Sequence, residues 1–112
     1  MINYNGKVFR TVSNTPNGET SSDTRFAYHQ NGNLLTCNYA GGQIEVGHLI
    51  GIVKEDGSID MRYHQINTDH QIMTGICTST PEIMKNGKIR LHENWKWTSG
   101  DCSSGTSIIE EE

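Results

Sequence analysis

Apolar and polar residues alternate along most of the chain. Phe26 and Tyr28 fall on one parity, with Arg25, Ala27 and His29 on the other. Leu35, Cys37 and Tyr39 oppose Leu34, Thr36 and Asn38. Ile59, Met61 and Tyr63 oppose Asp60, Arg62 and His64. Ile89, Leu91, Glu93, Trp95 and Trp97 oppose Arg90, His92, Asn94 and Lys96. A period of two with one apolar face is the mark of antiparallel strands that are wet on one side. Turn signals separate these segments at Asn17-Gly18, Asn31-Gly32, Gly41-Gly42, Asp56-Gly57, Asn67-Thr68-Asp69, Asn86-Gly87 and Ser99-Gly100-Asp101. The Asn-Gly and Asp-Gly pairs suit type I′ turns, which need positive φ at both central positions. The pattern predicts eight strands, at about 7–13, 24–30, 33–39, 43–54, 58–66, 71–79, 88–98 and 105–110. The fourth is apolar on both faces towards its end, and its Gly47 and Gly51 predict bending or the close approach of another backbone. Only Pro81-Glu82-Ile83-Met84 suits a helical turn, with Thr80 as N-cap and Pro81 at the first helical position.

Eight strands joined by hairpin-length links make an all-β, antiparallel up-and-down meander filling one domain over residues 1–112. Closure into a small barrel removes the open edges, and eight strands leave room inside for side chains or one small ligand. An open meander is the alternative. The glycines between Tyr39 and Tyr63 give a faint resemblance to the hairpin ladder of MORN-repeat proteins. Tyr28-His29-Gln30 recurs as Tyr63-His64-Gln65, which reads as two similar hairpins or as a pseudo-symmetric site.

Composition strengthens the β reading. Twelve Ile and eleven Thr stand against four Leu and two Ala. β-Branched residues favour pleated sheets, and the best helix formers are scarce. A hydrophobic fraction of 33% leaves enough for one apolar face per element. The net charge is −4 with no basic block, which argues against nucleic acid. No stretch reaches the ~20 apolar residues of a membrane helix, and the first residues do not read as a signal peptide. Glu110-Glu111-Glu112 reads as a frayed, solvated tail. Cys37, Cys77 and Cys102 are odd in number and far apart, and read as reduced thiols in a cytoplasm.

Glu93 is the position with the most chemistry. Its parity places a carboxylate among Leu91, Trp95 and Trp97, where it must be paired or protonated. Tyr28, Tyr39, Tyr63, Gln65 and Cys77 also read inward, and Arg10 joins them if the first strand points that way. Together they would line a polar, aromatic cavity for a small ligand. The plainer reading is a buried network in which Arg10 or a tyrosine hydroxyl satisfies Glu93. Trp95 and Trp97 could floor the cavity or simply be the largest core residues. Five histidines tempt a metal site, but none has zinc-ligand spacing, and His29, His64 and His92 fall on the polar face. No metal and no cofactor are expected from the residues. There is no Gly-x-Ser-x-Gly and no phosphate loop leading into a helix.

Tyr39-Ala40-Gly41-Gly42-Gln43-Ile44, Gly47-His48-Leu49-Ile50-Gly51, Asp56-Gly57, Tyr63-His64-Gln65 and Leu91-His92-Glu93-Asn94-Trp95-Lys96-Trp97 resemble a family of bacterial proteins of about this length. The barrel expected here is similar in fold to lipocalins and streptavidin. Members of the bacterial family are often labelled N-acetylglutamate synthase, which implies acetyl transfer from acetyl-CoA to the glutamate amine. The pyrophosphate loop of ordinary acetyltransferases has no counterpart in this chain, so no catalytic residue is carried over. Three functions therefore stand: a small-molecule-binding barrel with Glu93, Tyr63 and Trp95 orienting its ligand; the acetyltransferase that the resemblance implies; and a structural or interaction domain, including an oligomer joined through strand edges. A pocket containing Glu93 favours the first, a CoA site the second, and a filled interior with an apolar outer patch the third.

Overall fold

The computed structural model describes all 112 residues. Eight strands follow one another: β1 (Val8–Asn14), β2 (Arg25–Asn31), β3 (Leu34–Gly41), β4 (Ile44–Val53), β5 (Ile59–Asn67), β6 (Ile72–Ile83), β7 (Ile89–Trp97) and β8 (Ser104–Glu111). Each pairs antiparallel with its sequence neighbours, and β8 returns to pair with β1, closing the barrel. The open meander and the MORN-like ladder are thereby excluded. The strands form where the alternation lies, with Phe9, Tyr28, Leu35, Ile59, Leu91 and Ile109 facing inward and buried.

Several local expectations give way. Residues 81–83 continue β6 instead of forming a helical turn, with Pro81 opposite Leu91. The last pairing of β6 with β5 is Ile59↔Ser79, so Pro81 is locally at an edge, where its missing N–H leaves no ladder bond unmade. The acidic end is not frayed. Glu110 pairs with Arg90, Glu111 with Lys7 and Glu112 with Arg25, and Glu110 and Glu111 lie within β8. The type I′ expectation also fails, because Asn31, Asp56 and Asn86 are not left-handed. In the Asp56-Gly57 and Asn86-Gly87 links only the glycine takes positive φ, after turns in which the Gly57 and Gly87 N–H groups bond Lys54 O and Met84 O. These are three-residue loops ending in a glycine bulge, the next commonest hairpin link.

A bulge between Ile44 and Val46 resets the parity of β4. Ile44, Gly47, Leu49 and Val53 are buried, whereas Val46, Ile50 and Ile52 lie on the outer surface. The two ends of the interior differ. At one end Tyr4, Phe9 and Tyr28 stack into a plug, with ring centroids 4.9–6.2 Å apart. The Tyr4 hydroxyl donates to Gly57 O at 2.6 Å, which stitches the N-terminal segment across that end. The other end is not filled.

Candidate functional site

Glycines open the space at the unfilled end. Gly47 lies opposite Tyr39, Gly75 opposite Tyr63 and Gly105 opposite Trp95 in the strand register. A Cβ on Gly47 would stand 2.2 Å from the Tyr39 ring, one on Gly75 2.2 Å from Tyr63, and one on Gly105 2.4 Å from Trp95. Each ring therefore lies down across a bare backbone on the next strand. This aromatic–glycine pairing turns three large side chains into flat walls.

The walls bound a small cavity that opens at this end, lined among others by Tyr39, Tyr63, Gln65, Glu93, Trp95 and Trp97. Trp97 meets Trp95 and Tyr63 edge-on, at 5.3 and 5.8 Å between centroids. The indole N–H of Trp97 donates to Asn17 O at 3.0 Å and that of Trp95 to Asn14 Oδ1 at 3.3 Å. The polar handles are thus satisfied by the protein itself.

Glu93 sits in a row across three strands, Ser79↔Glu93↔Ser107. Ser79 Oγ donates to one carboxylate oxygen at 2.8 Å and Ser107 Oγ to the other at 3.0 Å. The barrel encloses Glu93 on every side, yet its surface is partly accessible, because that surface lines the cavity. Burial raises its pKa above the ordinary carboxylate value, and the Ser79 and Ser107 hydroxyls, with the Cys77 thiol, oppose that shift. The partners expected from sequence are not the actual ones. Arg10 lies between inward Phe9 and Thr11 and so points outward, and no tyrosine hydroxyl bonds Glu93.

At the mouth, the Tyr39 hydroxyl donates to Gln65 Oε1 at 2.7 Å, and Gln65 Nε2 donates to Glu19 Oε1 at 2.8 Å. Asn67 Nδ2 donates to the other Glu19 oxygen at 2.9 Å. Glu19 belongs to the long β1–β2 connection, which is pinned over the opening by its bonds and by Asn17.

Six of the seven sequence-derived candidates, Tyr39, Tyr63, Gln65, Glu93, Trp95 and Trp97, come together on the cavity wall. Tyr28 does not. It is buried in the plug against Phe9 and Tyr4, so the Tyr28/Tyr63 echo marks two unlike positions and not a symmetric site. Ser79, Ser107 and Glu19 were missed. Alternation with Cys77 and Ile109 turns both serines inward, which was a readable signal, but a loop glutamate carries none.

A closed antiparallel barrel with one packed end and one aromatic, polar-tipped cavity defines a small-molecule-binding β-barrel. The chain belongs to the avidin-like family: residues 2–112 match the family described as "Avidin-like protein". No curated protein and no solved structure matches it. The match agrees with the streptavidin-like fold expectation. It lends no support to the N-acetylglutamate synthase label, to acetyl-CoA as a cofactor or to a bacterial origin.

Proposed function

We propose that this barrel holds its ligand in the cavity at the β1–β2 loop end, with Glu93 binding the polar group and Trp95, Trp97 and Tyr63 packing on the apolar body. The observation that carries this reading is a carboxylate on the cavity wall bonded to two neutral hydroxyls and to no cation. Structural carboxylates buried for stability are ordinarily paired. Tyr39 and Gln65 form the rim together with Glu19.

Small ligands such as biotin are bound in the avidin-like family, so biotin belongs in the first screen. A thermal-shift screen of small metabolites tests the reading. A true ligand at a hundred times its Kd adds roughly 2.7 kcal/mol of stability. The same compound should leave the Trp97→Ala protein unshifted. If every hit shifts wild type and Trp97→Ala alike, the cavity is not the site.

Self-association is a second part of the proposal. Members of the family often form oligomers, and Val46, Ile50 and Ile52 make an exposed apolar stripe on β4, with Leu34 beside Ile52 on β3. The closed barrel offers no strand edge, so a second copy would dock face to face on this stripe. Light scattering should give a multiple of 12.5 kDa for wild type and 12.5 kDa for an Ile50→Lys/Ile52→Lys protein. A monomeric wild type removes this part. A cytoplasmic setting is also proposed, supported by the three free thiols of Cys37, Cys77 and Cys102.

A further inference from the structure

The charges around the cavity are all of one sign. Glu93 stands on its wall and Glu19 at its rim, and no Lys, Arg or His lines it. Each carboxylate is held by neutral donors only: Ser79 and Ser107 for Glu93, Gln65 and Asn67 for Glu19. Every ion pair of the molecule lies elsewhere, among residues that do not line the cavity. A cleft with low-dielectric walls and charge of one sign focuses its field and concentrates the opposite charge. The remaining wall is aromatic, and indole and phenol faces attract cations through the ring quadrupole.

We propose that the ligand is a small organic cation, a protonated amine whose N–H groups meet the Glu93 carboxylate while its carbon body lies against Trp95 and Trp97. The inference rests on the reading of the cavity as the ligand site and adds the charge of what enters it. Two serine bonds leave the carboxylate with free lone pairs, and an ammonium group supplies the donors and the charge that the protein does not. Glu19 at the rim adds attraction on the way in. A ligand that set a carboxylate of its own beside Glu93 would meet a like charge and no cation.

The titratable groups facing Glu93 are Tyr28 on β2, Cys37 and Tyr39 on β3, Tyr63 on β5 and Cys77 on β6. Burial raises the pKa of each, so all are neutral near pH 7 and none competes for the ligand's charge. Burial also raises Glu93, and a bound cation opposes that shift. Cation binding must then strengthen as pH rises through the range where free Glu93 ionises, and release a proton within it.

Three probes of nearly one shape separate charge from fit: benzylammonium, benzyl alcohol and benzoate, titrated by calorimetry and by tryptophan fluorescence. The ammonium is expected to bind at least about tenfold more tightly than the alcohol, a difference of ~1.4 kcal/mol, with no benzoate binding. Its affinity should rise between pH 5 and pH 8, where the amine itself stays protonated. Glu93→Gln should erase the preference, bringing the ammonium down to the affinity of the alcohol. Glu19→Gln, a change in a loop outside the barrel wall, should weaken the ammonium alone, which preserves the test if Glu93→Gln fails to fold. Benzyl alcohol or benzoate binding as tightly as the ammonium overturns the charge assignment and leaves the cavity reading intact. Silence from all three probes at millimolar concentration overturns the cavity reading, and the charge assignment with it.

Discussion

Two serine hydroxyls meet the Glu93 carboxylate, one on each oxygen, and no cation does. Because burial raises its pKa, the folded protein holds this proton more tightly than the unfolded chain does. The native state therefore binds the extra proton once pH exceeds the ordinary carboxylate value, and stability falls as pH rises from there through the folded pKa. The contribution is most favourable below that window. Glu93→Gln cannot ionise, so it should match wild type near pH 4 and exceed it at pH 8. A gain of roughly 1–2 kcal/mol is expected, the scale of an imperfectly satisfied buried group. Thermal melts of both proteins at the two pH values read this directly. A gap that is constant or reversed would mean that the serines fully compensate the charge, and that Glu93 is structural. Tyr4, at the opposite end, shows the contrasting case. Its pKa is pushed up to about 12, by burial first and Asp56 second, and its hydroxyl is committed to Gly57 O. It stays neutral at every pH of interest and acts as a clasp.

Among the strands, the aromatic–glycine pairs shape the site more than any single ligand-facing group. Gly47→Ala would drive a methyl into the Tyr39 ring, which lies on the floor of the β4 position. The ring cannot simply rotate away, because its hydroxyl is tied to Gln65. Overpacking of this kind costs about 1–3 kcal/mol, and the urea midpoint should drop by that loss divided by the denaturant slope, with the slope itself unchanged. A wild-type midpoint would show the ring to be free to move. Elements were largely legible from sequence, because alternation and turn chemistry agree: all eight strands lie within about two residues of their expected bounds, save the C-terminal extension of β6. The inward face of β7 was readable because that strand has no bulge. The face of β4 was ambiguous, since one extra residue at Ile44/Val46 inverts the parity beyond it. Alternation states which way a side chain points but not which residue lies across from it. The Ser79–Glu93–Ser107 row depends on two registers at once, and so the true partners of Glu93 were hidden. Glu19 was beyond reach for a different reason. Its position is set by how a long connection folds back over the mouth, which no periodicity records.

At the scale of the whole barrel, closure rests on the β1–β8 seam, and the seam has two unlike halves. Towards the mouth it runs through Asn14↔Ser107, beside the cavity wall, after a bulge between Thr11 and Ser13. Towards the plug it runs through Phe9↔Glu111 and Arg10↔Glu110, and Glu112 N donates to Val8 O at 2.9 Å. The last three residues secure that half to both of its neighbours. Glu110 bonds Arg90 of β7 at 2.7 Å, and Glu111 bonds Lys7 at 3.0 Å and the Ile89 N–H at 3.0 Å. Exposed ion pairs alone contribute little, up to about 1 kcal/mol each. Here they coincide with backbone pairing that closes the barrel over Phe9, and an opened seam would leave that ring wet. Ending the chain at Ile109 should therefore lower stability by roughly 2–4 kcal/mol, judged from the lost bonds. The loss should be local to the plug half. Amides of Val8 and Phe9 should exchange with solvent much faster, while those of β7 around Glu93 and Trp95 keep their protection. Affinity in the cavity should then be unchanged at temperatures well below the lowered melt, since Ser107, Glu93 and the tryptophans lie beyond the cut. Hydrogen exchange and ligand titration on the shortened protein decide the matter. Loss of affinity in parallel with stability would show that the two ends of the barrel are one cooperative unit, and that the plug holds the site in shape from a distance.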